Sequence, residues 1–250
     1  MLRFDKVGFA FGREVILDGL SLQIEPGQLA VLLGSSGVGK TSVIRLAAGL
    51  LTPTKGTISN AFGRTAMVFQ DPRLLPWASA LDNAAFGLKA IGVPAPERRT
   101  RAAELLLRFG LGRSSLDKLP AELSRGMAQR VAVARALAVK PDLLLMDEPF
   151  NALDGVLRLE LQDILRAEVD RSALAVLFVT HDIPEAVRLA DRILALAPYP
   201  HGIAADLPHN PVHEPEAIFH ASAALLQDAS IRQALSSGMN ARKTSSQGSR

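Results

Sequence analysis

The chain has 250 residues, of which 48% are hydrophobic, so it is long enough to bury a substantial core. It has no cysteine, which excludes disulfides and thiolate metal sites, and no apolar stretch approaches the roughly 20 residues of a membrane-spanning helix. Outside residues 241–250 the chain balances 25 basic against 25 acidic residues, which argues against a nucleic-acid-binding field over the folded body.

Short segments of β-type composition fill the N-terminal 25 residues, and they read LRFDKVGFAF, EVIL and LSLQIE. Turn signals separate these segments, which predicts an antiparallel meander closed by Pro26-Gly27. The predicted turns lie at Gly12-Arg13, at Asp18-Gly19 and at Pro53, Lys55 and Gly56, and further strands are predicted at 57–59 and 65–69.

Residues 29–48, LAVLLGSSGVGKTSVIRLAA, combine a short apolar strand, a glycine-rich loop and an apolar helical pattern. In this setting the pattern G-x-x-x-x-G-K-[ST] predicts phosphate binding, because the loop turns its backbone N–H groups inward and the helix N-terminus adds partial positive charge. Lys40 can reach the β- and γ-phosphates, and the Thr41 hydroxyl can ligate Mg²⁺. The residues expected to bind the nucleotide here are Gly34, Ser35, Ser36, Gly37, Val38, Gly39, Lys40, Thr41 and Ser42.

A helical lobe is predicted over residues 72 to about 138, inserted between two strands of the core. The stretch 70–77, which leads into the lobe, contains two prolines and therefore forms no regular element, although Leu74, Leu75 and Trp77 cluster there. The helices predicted in the lobe span 80–90, 97–109 and 126–138.

Two apolar strands are predicted to carry polar residues at their carboxyl ends. Residues 143–148 read LLLMDE, and in open α/β sheets the carboxyl end of such a buried strand is where ligands bind. Asp147 and Glu148 are adjacent and point in different directions, so one can hold Mg²⁺ while the other polarises a water. His181 follows the strand 175–180 and can donate to a γ-phosphate, or it can be merely structural.

The remaining residues predict a helix at 183–190, two strands within 191–207 around Pro198 and Pro200, and a closing helix at 215–236. The Ser/Gly/Lys/Arg composition of residues 237–250 predicts a disordered tail.

In the order of its motifs the chain resembles the ATP-binding subunits of ABC transporters. The loop from Gly34 to Thr41 stands at Walker A and Gln70 at the Q-loop; residues 123–127, LSRGM, stand at the signature motif. Residues 143–148 stand at Walker B, 151–154 at the D-loop, and His181 at the switch histidine. The resemblance covers roughly residues 1–207.

The resemblance implies an α/β fold: a P-loop NTPase (RecA-like) core with an N-terminal antiparallel β-subdomain and an inserted α-helical subdomain, together forming one ABC ATPase domain over residues 1–236. It implies ATP hydrolysis with Glu148 as general base, His181 and Gln70 as further catalytic residues, and Mg²⁺ held by Thr41, Gln70 and Asp147. Phe11 stands where the family stacks an aromatic on adenine, and Phe9 is the alternative.

The resemblance also implies that two copies, or this chain and a homologous ATPase, share each ATP. Ser124 and Gly126 open a helix whose N-terminus forms a second anion site, which in the family completes the pocket of the opposite subunit together with Asp154. The family usually has Gly-Gly-Gln where this chain has Arg125-Gly126-Met127. A side chain at position 125 disfavours positive φ, but we expect signature function to survive.

The stretch VFQDPRLLPWASALDN is most similar to the ATPases of nitrate, sulfonate and taurine importers. That similarity implies a peripheral protein at the cytoplasmic face of the inner membrane, working with permease subunits and a solute-binding protein. Leu74, Leu75 and Trp77 would dock a permease helix, or they pack inside the lobe. The alternative function is a soluble ABC ATPase acting on nucleic acid or ribosomes. Against it, Walker A and Walker B are separated by no long coiled coil, and the chain has one cassette.

Overall fold

The computed structural model describes residues 1–151, 153–199 and 202–236. It divides the chain into two units, one formed by Met1–Phe62 with Ala175–Arg250 and the other by Gly63–Leu174. In the described residues, no helix combines the length and the apolar composition that crossing a bilayer requires. The predicted tail lies outside the described residues, and the predicted domain bounds stay a prediction.

The strands are β1 (Leu2–Phe11), β2 (Glu14–Ile24), β3 (Leu29–Leu33), β4 (Lys55–Asn60), β5 (Thr65–Val68), β6 (Leu143–Asp147), β7 (Ala175–Thr180), β8 (Arg192–Leu196) and β9 (Ile203–Pro208). The α-helices are α1 (Lys40–Ala47), α2 (Ala80–Ala90), α3 (Ala95–Arg108), α4 (Arg125–Ala138), α5 (Gly155–Arg171), α6 (Ile183–Leu189), α7 (Pro215–Gln227) and α8 (Ala229–Ser236).

In the first unit, β1, β2 and β4 form an antiparallel sheet in the order β2-β1-β4. The prediction of a turn at Asp18-Gly19 was wrong, because β2 runs through both residues. Gly19 has φ 70°, and between the pairs Val7–Leu20 and Phe9–Leu17 β2 holds one more residue than β1. The glycine therefore accommodates a β-bulge, which bends the strand without reversing it.

The turn predicted at Pro53, Lys55 and Gly56 ends earlier than expected, because β4 already begins at Lys55. The Thr54 N–H donates to Gly8 O at 2.8 Å and so closes the sheet at this point. The predicted strand over 57–59 is confirmed and is extended at both ends.

The core of the first unit is built on parallel strands buried on both faces. In this unit β3 lies between β7 and β8 in parallel register, and β9 pairs antiparallel with β8. Every residue of β3 and β7 is buried, as the continuous apolar sequence predicted. Strands β8 and β9 confirm the prediction over 191–207, and Pro198 lies between them; Pro200 lies outside the described residues.

The closing helix predicted at 215–236 is two helices, α7 and α8, broken at Asp228. The Asp228 carboxylate accepts from the Ser230 N–H at 2.8 Å and from the Ile231 N–H at 3.3 Å, and the Ser230 hydroxyl also donates to it. These hydrogen bonds lower the pKa of Asp228 from its usual value. A short acidic side chain that bonds its own backbone competes with helix continuation, which explains the break.

The second unit contains the parallel pair β5–β6, with α2, α3 and α4 between these strands along the chain and α5 after them. The predicted helix 80–90 is confirmed; the other two begin at Ala95 and Arg125, one or two residues earlier than expected. The strand predicted to reach Phe69 ends at Val68.

Candidate functional site

The glycine-rich loop joins β3 to α1, as the sequence predicted. Gly37 has φ 83° and Gly39 has φ 108°, a backbone conformation that side-chain-bearing residues rarely adopt. A Cβ on Gly39 would also lie 2.9 Å from Ile16 Cγ2. The loop thus depends on glycine both for its curvature and for its close approach to β2.

Lys40 lies within the curl of this loop and is only 5% exposed. Its Nζ donates to Gly34 O at 2.8 Å and to Ser35 O at 3.0 Å. Helix α1 has no acidic residue in its first turn and no side-chain cap. A buried ammonium group and a helix N-terminus without a side-chain cap therefore converge on one loop, which is the arrangement that binds a phosphate chain.

The remaining loop residues fall into two groups. Gly34, Val38 and Ser42 are buried, and Ser35 and Thr41 are half-buried, whereas Ser36 and Gly37 are exposed at the loop tip. The loop is therefore anchored at both ends and open to solvent at its apex.

His181 is brought to the same edge of the sheet as this loop. Leu33 pairs with Thr180 in the β3–β7 register, so Gly34 and His181 each follow one member of a neighbouring pair. The His181 side chain is exposed, and Asp182 caps α6 by accepting from the Glu185 N–H at 3.2 Å. His181 and the glycine-rich loop are thus adjacent within one unit.

Phe9 and Phe11 differ sharply in burial. Phe9 is 6% exposed and belongs to the core, whereas Phe11, at the end of β1, is 52% exposed. Their rings meet edge to face with centroids 4.8 Å apart. Phe9 thus supports the ring of Phe11, and Phe11 is the one with surface left for stacking.

In the second unit, the Gln70 position and the two carboxylates also share one sheet edge. Val68 pairs with Met146, so Gln70 and Asp147 both follow the end of the β5–β6 ladder. Asp147 is 5% exposed, whereas Glu148 is half-buried with φ 44° and accepts from Asn151 Nδ2 at 2.7 Å. Glu148 thus begins a left-handed turn directly after the buried Asp147, and the different directions of the two side chains stay a prediction.

The LSRGM segment begins α4 with a serine cap. Ser124 Oγ accepts from the Met127 N–H at 3.2 Å, and Arg125 has no positive φ, so its Cβ causes no backbone strain. A Cβ on Gly126 would lie 2.5 Å from Leu157 Cδ2 in α5. Asp154 caps α5 by accepting from the Leu157 N–H at 2.9 Å. The tip of α4 and the start of α5 are therefore packed together.

Residues 70–79 are irregular, and their side chains divide between core and solvent. Trp77 is 76% exposed, whereas Leu74 and Leu75 are half-buried. Asn83, fully buried in α2, donates to Leu75 O, Ala78 O and Ser79 O at 2.9–3.2 Å. Its Oδ1 accepts from the Leu75 N–H at 2.7 Å. One amide thus replaces the backbone partners that the prolines of this segment prevent.

We expect Asn83→Leu to lower the free energy of unfolding by roughly 2–4 kcal/mol, because it leaves the Leu75 N–H and the Ala78 carbonyl without the side-chain partner that they have in the structure. Urea unfolding would measure the change. Asn210→Leu, at an exposed position, is the control and should change the free energy by less than about 0.5 kcal/mol. An equal loss in both variants would show that the amide of Asn83 is not the cause.

Two residues that contact this segment were missed by the sequence analysis. Asn83 gave no signal beyond its place in a helical pattern. Arg135 gave a signal that could have been used, because it interrupts the apolar run from Val131 to Val139. In the structure Arg135 donates to Pro72 O and Arg73 O.

Comparison with known proteins identifies the family. Residues 17–151 match the ABC transporter family. An aliphatic sulfonates import ATP-binding protein, SsuB of Corynebacterium glutamicum, is 43% identical over 201 residues, covering 80% of this chain and 82% of that protein. A taurine import ATP-binding protein, TauB of Chromobacterium violaceum, is 44% identical over 191 residues, covering 74% of this chain and 73% of that protein.

Solved structures agree with this assignment. One is the dimeric post-hydrolysis state of the ATP-binding cassette MJ0796 bound to ADP and Pi, with a TM-score of 0.75 and 28% identity, covering 85% of this chain and all of that one. A second dimeric structure of this bacterial ABC transporter cassette has a TM-score of 0.71 and 30% identity, covering 78% and 93% of the two chains. The chain therefore belongs to the ABC transporter family, and it is an ATP-binding, ATP-hydrolysing subunit with a P-loop NTPase fold.

Proposed function

We propose that this ATPase drives the import of a small solute of the sulfonate, taurine or nitrate class. The relatives named for sulfonate and taurine import support this class. The observation that carries the proposal is that one chain holds both a phosphate loop with a buried lysine and a serine-capped signature helix. None of these comparisons supports the alternative of action on nucleic acid or ribosomes.

Residues 34–42 would bind the phosphates of ATP, and its adenine would stack on the ring of Phe11. A second copy, or a homologous ATPase, would supply the signature helix tip through Ser124, Gly126 and Asp154 in trans. The dimeric solved relatives support this arrangement. The serine cap and the uncharged first residues after Arg125 leave the α4 N-terminus suited to an anion.

Mg²⁺, when bound, would neutralise part of the charge on the β- and γ-phosphates. Thr41, Gln70 and Asp147 are the proposed ligands, and their oxygen donors suit this cation. Among the described residues, no group of three or more acidic, histidine or cysteine side chains could hold a metal.

Glu148 would accept a proton from the attacking water while the oxygen of that water bonds to the γ-phosphorus. The bond from that phosphorus to the β–γ bridging oxygen breaks, which leaves ADP and phosphate. His181 would donate a ring N–H to the γ-phosphate, and Gln70 would orient the water. The half-buried position of Glu148 beside Asn151 supports its role, because the amide fixes the carboxylate while solvent can still reach it.

We further propose that the protein is peripheral to the cytoplasmic face of the inner membrane and binds permease subunits that work with a solute-binding protein. The exposed Trp77, next to the half-buried Leu74 and Leu75, is the proposed permease anchor, because exposed aromatic side chains are frequent anchors of interfaces.

Trp77→Ala should abolish coupling to the permease but leave ATP affinity within about twofold, since interface anchors are often worth 2 kcal/mol or more. Co-purification with the permease and nucleotide binding by the isolated chain would measure the two effects. Phe219→Ala removes another exposed aromatic, on α7, and should change neither. Loss of nucleotide binding in the tryptophan variant alone would indicate a structural role for Trp77.

The import function is tested by uptake of labelled taurine, an alkanesulfonate and nitrate in cells that express either the wild-type chain or a Lys40→Met variant. We expect uptake of at least one of these solutes to require the wild-type chain. Equal uptake of all three in both strains would contradict the proposed function.

A further inference from the structure

Two interactions hold the segment around Gln70. In the first, the guanidinium of Arg73 lies over the Phe69 ring, with its central carbon 4.1 Å from the ring centroid, and so joins residues before and after Gln70. Arg73 itself has φ 47°, a conformation that a residue with a side chain adopts only when its surroundings hold it there. The loop around Gln70 is therefore not in its lowest-energy local conformation and needs an external support.

Arg135 of α4 provides that support from outside the loop. Its Nη2 donates to Pro72 O at 2.7 Å and its Nη1 to Arg73 O at 2.9 Å. The planar guanidinium donates in two fixed directions, so these two bonds fix both the position and the orientation of the peptide that they hold.

The environment of Arg135 is unusual for a charged residue. Burial lowers the pKa of this guanidinium from its ordinary value, and no carboxylate pairs with it among the described residues. Its neighbours along α4, Ala134 and Ala136, are buried. A cation placed here costs desolvation, and the two backbone carbonyls are the groups that offset it.

We infer that Arg135 is a positioning residue for Gln70: it fixes the strained segment Pro72–Arg73 to the signature helix, so that Gln70 and the tip of α4 move together. The inference rests on the proposed role of Gln70. It goes beyond that role because it assigns the link between the Q-loop and α4, the helix that Ser124 caps, to the side chain of Arg135.

The test compares Arg135→Met, which keeps an apolar stem but no donors, with Arg130→Met. Arg130 lies on the same helix and donates to the Phe109 carbonyl at 3.0 Å, away from residues 70–79. We expect Arg135→Met to lower kcat for ATP hydrolysis about tenfold with KM within twofold, because misplacing a catalytic group affects the chemical step more than binding. Arg130→Met should change kcat less than twofold.

A double-mutant cycle with Gln70→Ala separates positioning from a general structural effect. If Arg135 acts through Gln70, Arg135→Met should cause no further loss in the Gln70→Ala background. An equal tenfold loss in both backgrounds would overturn the inference and leave the proposed function standing. A Gln70→Ala variant with wild-type kcat would overturn both the role of Gln70 and the positioning role.

The chain's one tryptophan gives a readout that needs no activity. Trp77 lies four residues after Arg73, so its fluorescence anisotropy reports the mobility of this segment. We expect lower anisotropy in Arg135→Met and the wild-type value in Arg130→Met. If Arg135→Met does not fold, Arg135→Lys replaces it. It should give intermediate anisotropy and kcat, since one ammonium group cannot donate to both carbonyls in the geometry of the planar guanidinium. Unchanged anisotropy in a folded Arg135 variant would overturn the inference.

Discussion

Replacing Lys40 with methionine should weaken ATP binding by at least about 100-fold and reduce hydrolysis to background. The buried ammonium group is the one cation inside the described phosphate loop, and charge-assisted hydrogen bonds of this kind contribute roughly 1.5–3 kcal/mol each. Methionine keeps the length and the apolar stem of the side chain, so the change removes charge and donors while the packing against the loop stays similar.

Titration with a fluorescent ATP analogue would measure the affinity, and phosphate release would measure hydrolysis. The control is Lys55→Met in the same unit, whose side chain is 72% exposed and bonds Asp18 at 3.4 Å. That variant should bind ATP like the wild type. Tight ATP binding by Lys40→Met would contradict the assignment of the loop, and the thermal midpoint of both variants would reveal any loss of folded protein.

The positions of the motifs could be predicted from the sequence because their chemistry restricts the residue types. A loop that wraps phosphate needs glycine at Gly39, where φ is positive, and a lysine beside it. Buried parallel strands need continuous apolar residues and end in polar ones. Those constraints are local, so β3, β6 and β7 and the residues that follow them were found from short segments alone.

Bonds between distant residues could not be predicted in the same way. Arg135 and Pro72 are separated by 63 positions, and no local pattern connects them. Asn83 faces inward on α2, and the composition of that segment predicts a helix but not the hydrogen bonds of its asparagine. In each case the sequence shows a polar residue on an apolar face. That pattern predicts a buried hydrogen-bond partner but does not identify which residue the partner is.

The predictions at Gly19 and Asp228 were wrong for a different reason. Both residues favour turns, but the glycine lies inside a strand held by pairing to β1, and tertiary pairing overrides the local preference. At Asp228 the apolar pattern continues past the break into Ile231 and Ala234, which are fully buried, so periodicity alone joined two helices into one.

Glu148→Gln should reduce ATP hydrolysis by about 100- to 10,000-fold, the contribution typical of a general base, and leave ATP affinity unchanged within about threefold. Glutamine has the same shape and retains an oxygen that can accept from Asn151 Nδ2, so the left-handed backbone at this position keeps its support. Because the γ-phosphate then stays attached, the variant should form a dimer with ATP that the wild type holds only briefly.

Size-exclusion chromatography with light scattering, with and without Mg-ATP, would measure this dimer, and phosphate release would measure hydrolysis. Glu104→Gln, at an exposed position of α3, is the matched control and should hydrolyse ATP at the wild-type rate. A Glu148→Gln variant that stays monomeric at saturating ATP would contradict the shared-nucleotide arrangement, and with it the survival of signature function beside Arg125. A variant that still hydrolyses ATP would instead contradict the role of Glu148 as base. The two results separate because the first depends on the tip of α4 and the second on the end of β6.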